Sequence, residues 1–186
     1  MNAKFRRGFK TEAEYYAIMY REELSLSPTA PMSPLVLARH LEIPVLPLTS
    51  CECIIISDIR FLTSKNSGFS AITIILNTYR AIFFNDKNHP NRQNSDIAHE
   101  LGHIILGHRT GIPLFEDGHR NFDPKIEREA SWLGDTLLVP RPAALEIARI
   151  EMPVAQAARH YGVSQDLMNY RLNVTGVRRQ VANSAA

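Results

Sequence analysis

Residues 11–24, TEAEYYAIMYREEL, set Tyr15, Ile18 and Met19 at helical spacing among charges, which predicts a first helix. SLSPTAPMSP follows at 25–34 as a proline-rich loop. PLVLARHLEIPVLPL then reads as a short helix ending near Leu41, with an extended segment after it. Between 53 and 85 the pattern shifts to two β-rich runs, CIIISDIRFL and FSAITIILNTYRAIFFN. Lys65-Asn66-Ser67-Gly68 punctuates between them, so a hairpin or small sheet is expected. Pro90 sits where a helix can begin and Gly107 where one can stop, bracketing a helix of about 17 residues. A loop rich in glycine and charge runs from 108 to 123. Asp123-Pro124, as N-cap and first-turn proline, opens a second long helix to about Val139. PRPAALEIARIEM leads into a short helix, and PVAQAARHYGVSQDLMNYRL gives two more around Gly162-Val163-Ser164. The closing VANSAA is expected as a disordered tail. Helices segregated from a small sheet make the chain α+β. The expected organisation is a main domain over 1–145, a helical segment packed on it over 146–177, and a flexible tail over 178–186.

Composition narrows the class without naming it. The 186 residues are 45% hydrophobic and 22% charged, enough for one sizeable core. A net charge of +2 does not by itself point to nucleic acid, because the basic residues would have to share one face. No apolar run approaches the roughly 20 residues of a membrane span. The opening MNAKFRRGFKTEAEYY has acids and tyrosines where a signal peptide has its apolar core, so a cytoplasmic protein without a membrane partner is expected. Cys51 and Cys53 lie too close in sequence for a good disulfide and are too few to close a metal site. They read as reduced thiols on or beside a strand.

The chemistry concentrates at 97–111, IAHELGHIILGHRTG. His99-Glu100-Leu101-Gly102-His103 matches H-E-x-x-H. Histidines four apart on a helix project from nearly one face, so both imidazoles can converge on one zinc ion. Glu100 beside them can take a proton from a water on that ion. The bland alternative is a surface helix with two solvated histidines. The isoleucines, leucines and glycine around them argue instead for a buried helix, where uncommitted imidazoles are costly.

A catalytic zinc needs a third protein ligand. His108 is five residues past His103, about 140° round the helix, and lies beyond Gly107. It would need a chain bend to reach the site, so a place beside a ligand, a substrate-facing role or a plain surface position fits it better. The metzincin spacing would put a histidine at 109, where the chain has Arg109. Glu127 is the better candidate, one turn into the second long helix. Its face carries the small residues Ala130, Ser131 and Gly134, and the motif helix offers Gly102, so two helices can approach closely. Glu129, about 200° round from Glu127, points elsewhere and is expected to be solvated. An acid in a first turn is also favoured by the helix dipole without any metal. Ser131, four residues on from Glu127, can hydrogen-bond a ligand histidine. Two imidazoles and a carboxylate suit Zn²⁺, with iron or manganese as alternatives.

HELGHIILGH, followed by Glu127-x-Glu129-Ala130 and then Leu137-Leu138-x-Pro140, resembles the ImmA/IrrE family of metallopeptidases. ITIILNTYRAIFFND and Asn91-Arg92-Gln93 upstream, and ARHYGVSQDLMNYRLNVTG downstream, extend the similarity to roughly residues 12–177. The resemblance implies a zincin-like, gluzincin-type core with a C-terminal helix-turn-helix-like segment. It implies His99, His103 and Glu127 as zinc ligands and Glu100 as the catalytic acid/base. Ser131 departs from the family, which usually carries asparagine there. Characterised members cleave helix-turn-helix repressors in mobile-element or stress-response regulation. The resemblance therefore implies a regulatory endopeptidase with such a repressor as its partner.

Several points stay open at this level. Tyr79, His108, His119 and Arg120 are all candidates for a second stabiliser of the oxyanion. Substrate is expected to dock in extended form on an edge of the sheet over 69–85. Ala158, Gly162 and Ser164 have helix-turn-helix spacing, with Gln165, Asn169 and Arg171 able to face outward and Arg178 and Arg179 following. Alternatively Ala155, Ala158, Leu167, Met168 and Leu172 make these helices a packing unit, the favoured reading. The second functional class is thus a DNA-binding or sensor protein whose zincin-like site is not proteolytic.

Overall fold

Two short β-strands that fold back on each other, with a third strand added along one side, make a three-stranded sheet against which helices pack. A computed structural model describes residues 5–51, 56–64, 68–76, 78–108 and 123–184. In chain order the elements are α1 (Phe9–Glu23), α2 (Pro34–His40), β1 (Val45–Pro47), a 3₁₀ turn (Leu48–Ser50), α3 (Ile56–Leu62), β2 (Ala71–Leu76), β3 (Tyr79–Phe84), α4 (Pro90–Ile105), α5 (Pro124–Leu138), α6 (Arg141–Arg149), α7 (Val154–Tyr161), α8 (Gln165–Val174) and α9 (Val177–Ser184). This is a mixed α+β architecture, mostly helical.

The second β-rich run breaks into the hairpin β2–β3, paired antiparallel from Ala71↔Phe84 to Leu76↔Tyr79. β1 joins β3 in parallel, which leaves β2 on the outside in the order β1-β3-β2. The first run is not a strand where it is described. Residues 56–62 form α3, its last turn closed by Thr63 N–H on the Ile59 carbonyl at 2.9 Å. A short apolar run cannot be assigned by periodicity alone, and ISDIRFL spaces Ile56, Ile59 and Leu62 as a helix does. Cys53 lies outside the described residues; Cys51 is buried, its thiol 3.6 Å from the Pro47 carbonyl.

α4 and α5 form the tightest helix pair, and glycine makes it so. A Cβ on Gly102 would lie 2.6 Å from the Ala130 carbonyl oxygen. A Cβ on Gly134 would lie 2.9 Å from the backbone of Ala98 and His99. α1, α2, the sheet and the inner faces of α4 and α5 share one apolar core, including Phe9, Leu37, Ile82, Leu101 and Leu133. A second core joins Ala98 of α4 and the end of α5 to α6–α9.

Two buried arginines tie these layers to the C-terminal end of α5, whose last carbonyls have no partner within the helix. Arg21 donates to the Leu137 carbonyl at 2.9 Å, and Arg171 to the Val139 carbonyl at 2.8 Å and to Glu14 at 2.9 Å. Arg171 therefore does not face outward as the sequence suggested. Its fully buried guanidinium is recruited by α5 and Glu14, a pairing 157 residues apart that no local pattern announces.

The α7–α8 turn uses left-handed Gly162 and an N-cap by Ser164, whose hydroxyl accepts from Leu167 N–H at 3.1 Å. The turn is fastened to the start of α4: Asn91 donates to the Val163 carbonyl at 2.8 Å and Asn94 to the Gly162 carbonyl at 2.9 Å. Residues 178–184, expected as a tail, instead form α9. Val177 is fully buried there, and Arg178 reaches back to Asn169 and Asn173 of α8. Residue 145, the edge expected for the first domain, falls inside α6.

Candidate metal centre

α4 starts where His89 caps the Asn91 N–H at 3.2 Å and Pro90 fills the first turn, a position that needs no donor. The helix then carries His99 and Glu100 in its C-terminal half and His103 in its last turn. α5 starts on Asp123, whose carboxylate accepts from Lys125 N–H at 2.8 Å, and this sets Glu127 in the first turn. The close pass at Gly102 and Gly134 brings the two sets together. His99 Nε2 and His103 Nε2 are 3.1 Å apart, and Glu127 Oε2 lies 3.3 Å from the first and 3.5 Å from the second.

Those three distances test the fit to a metal. Zinc binds histidine nitrogen and carboxylate oxygen at about 2.0–2.2 Å, and tetrahedral geometry then spaces the ligand atoms about 3.3–3.5 Å apart. The triangle of Nε2, Nε2 and Oε2 has the size of one face of that tetrahedron. Among the described residues, these three form the group able to hold a metal ion. The donor set fits zinc. His103 is buried, and that burial, with His99 and His108 alongside, pushes its imidazole down to about 3, so it is neutral and able to donate a lone pair.

The surrounding contacts orient the rings. Ser131 Oγ lies 3.2 Å from His99 Nδ1. His108 Nδ1 lies 3.2 Å from His103 Nδ1. Left-handed Gly107, at φ 65°, supplies the bend that this contact requires. His108 is not a surface histidine: its side chain is only 10% exposed. Glu129 is not solvated either; it stands 3.4 Å from Arg6 and 3.9 Å from His108.

Glu100, next to His99 on α4, is buried and accepts a 2.6 Å hydrogen bond from the Thr73 hydroxyl through Oε2. Burial raises its carboxyl above the usual range, and Thr73 and His99 offset part of that. Sequence reasoning missed Thr73. The available signal was a lone hydroxyl in the apolar strand AITIIL, at a position whose register partner, Ile82, faces the core. A cavity of about 370 Å³ opens between β2 and α4, lined by Phe69, Ser70, Ala71, Asp96, His99 and Glu100 among others. Tyr79 is exposed at the hairpin end of the sheet, outside this cluster. His119 and Arg120 lie outside the described residues.

A family model described as the IrrE N-terminal-like domain, Peptidase_M78, matches residues 54–173. The chain belongs to this family, the ImmA/IrrE peptidases. The match takes in α3 to α8 and so contains both helices of the metal centre, while α1, α2 and β1 precede it. No curated protein matches the chain. M78 membership makes this a chain of the metal-dependent peptidase class, for which a polypeptide is the substrate. No helix among the described residues is long and apolar enough to cross a membrane.

Proposed function

We propose that this protein is a zinc-dependent regulatory endopeptidase whose substrate is a helix-turn-helix repressor. The observation that carries the peptidase reading is the tetrahedral-sized triangle of His99, His103 and Glu127 with Glu100 beside it. Zinc held there would acidify a water and polarise the scissile carbonyl.

The chain's own residues supply the rest. Thr73 occupies Glu100 Oε2, which leaves Oε1 to take the proton of the attacking water and pass it to the leaving amine. A carboxyl raised by burial is better matched to that exchange near neutral pH than a solvated one. β2 lies at the outside of the sheet beside Glu100, so an extended substrate can add to it through backbone hydrogen bonds. A flanking substrate side chain would enter the cavity between β2 and α4.

The repressor as substrate rests on family kinship and on the regulatory character it implies. The DNA-binding alternative is weakened by the burial of Arg171 and by the anchoring of the α7–α8 turn on α4. The test is Glu100→Gln, assayed on a repressor encoded beside this protein. The variant is expected to bind zinc as the parent does and to lose cleavage. Cleavage at the parental rate would overturn the mechanism.

A further inference from the structure

His108 raises a question that the zinc centre alone does not answer. Its N–H donates to the His103 carbonyl at 3.0 Å across the Gly107 bend, and its ring meets the His103 ring edge-on, centroids 5.2 Å apart. The facing atoms are both Nδ1, at 3.2 Å. Two ring nitrogens at that distance must be one N–H and one lone pair.

The metal reading fixes which is which. If His103 Nε2 presents its lone pair to a cation shared with His99 and Glu127, then His103 Nδ1 carries the proton and donates it. His108 Nδ1 is then the acceptor and His108 Nε2 carries the other proton. That N–H faces Glu129 Oε2 at 3.9 Å, and Arg6 Nε holds the same oxygen at 3.4 Å. Arg6 in turn grips both oxygens of Glu12. A line of polar contacts thus runs from the metal centre to the segment ahead of α1, which lies outside the family match.

A ligand histidine normally donates its second N–H to a carboxylate, a carbonyl or a water, and that partner fixes the ring and raises its basicity. Here a third imidazole takes the place. We propose that His108 is a positioning residue for the metal centre: its Nδ1 accepts the His103 Nδ1 proton, fixes the ligand tautomer and thereby sets metal affinity. This rests on the zinc reading above, and it extends that reading to a residue outside the ligand set.

The experiment measures zinc affinity on the full chain by competition with a chromophoric chelator. It compares the wild type with His108→Asn and His108→Leu. Asparagine places a carbonyl oxygen where His108 Nδ1 stands, while leucine fills the volume without an acceptor. His108→Leu is expected to bind zinc about 10–100-fold more weakly and His108→Asn close to wild type. Leucine binding as tightly as wild type, or asparagine as weakly as leucine, overturns the proposal. A wild type that binds no zinc would sink the zinc reading itself, and this proposal with it. Long-range ¹H–¹⁵N correlation of the zinc-loaded wild type gives a readout independent of any variant's folding. His103 protonated at Nδ1 and His108 at Nε2 is the expected pattern, and the reverse at His108 overturns it.

Discussion

Gly102→Ala isolates the close approach of α4 and α5 from the ligands themselves. The added methyl would sit 2.6 Å from the Ala130 carbonyl oxygen, about 0.8 Å short of the 3.4 Å where ordinary contact begins. The obstacle is helix backbone, so the two helices must separate or shear. Gly102 adjoins His103, and Ala130 lies one turn beyond Glu127, so the displacement falls on the metal triangle. Distances of 3.3 and 3.5 Å between the imidazoles and Glu127 would open to about 4 Å, beyond what metal–ligand tolerances of about 0.2 Å absorb. Zinc affinity is expected to fall by about tenfold or more, on the scale that lost orientation of a ligand produces. Stability should change less. Overpacking costs about 1–3 kcal/mol, and alanine's better helix propensity offsets about 1 kcal/mol of it. The assays are a chelator-competition titration and urea unfolding of the metal-free protein. A variant with wild-type zinc affinity and an unchanged urea midpoint would refute the argument that glycine sets the helix separation.

Thr73→Val keeps the shape of the strand but removes the hydroxyl on Glu100. Turnover should drop about tenfold or more with KM and zinc affinity held, a share of the usual general-base contribution; unchanged kcat would show that the bond does not orient the base. Asp135, partly buried on α5, has its carboxyl raised to about 6 by loss of solvation, against the pull of Arg171 and His99. The folded state therefore binds the extra proton between the unfolded value near 4 and about 6, so metal-free stability should decline as pH rises through that window. Asp135→Asn should lack this decline, which amounts to about 3 kcal/mol at most, and parallel pH profiles for the two proteins would refute the assignment. Arg171→Met strands Glu14 and the Val139 carbonyl, and should lower the unfolding free energy by about 3 kcal/mol, the low end for a buried pair because Glu14 is a quarter exposed. A loss under about 1 kcal/mol would contradict the anchoring role.

Local pattern carried much of this protein. Pro90 and Gly107 bracketed α4, Asp123-Pro124 capped α5, and Ser164 capped α8, because caps and breakers act within one turn. The 3.6-residue repeat by itself set His99 and His103 on one face, and the small residues Ala130, Ser131 and Gly134 marked the face where another helix could come close. Contacts that close over long stretches of chain were not written there. ISDIRFL could be strand or helix until its surroundings chose. Arg171 looked outward until Glu14 and the end of α5 claimed it, and the expected tail became α9 once Val177 found a pocket in the second core. Thr73 reached Glu100 from 27 residues away, and His108 reached His103 only through the bend at Gly107. The sequence determined which groups each helix would present, since that follows from a few neighbouring residues. Only packing decided which groups would meet, because that depends on how backbones distant in the chain are allowed to touch.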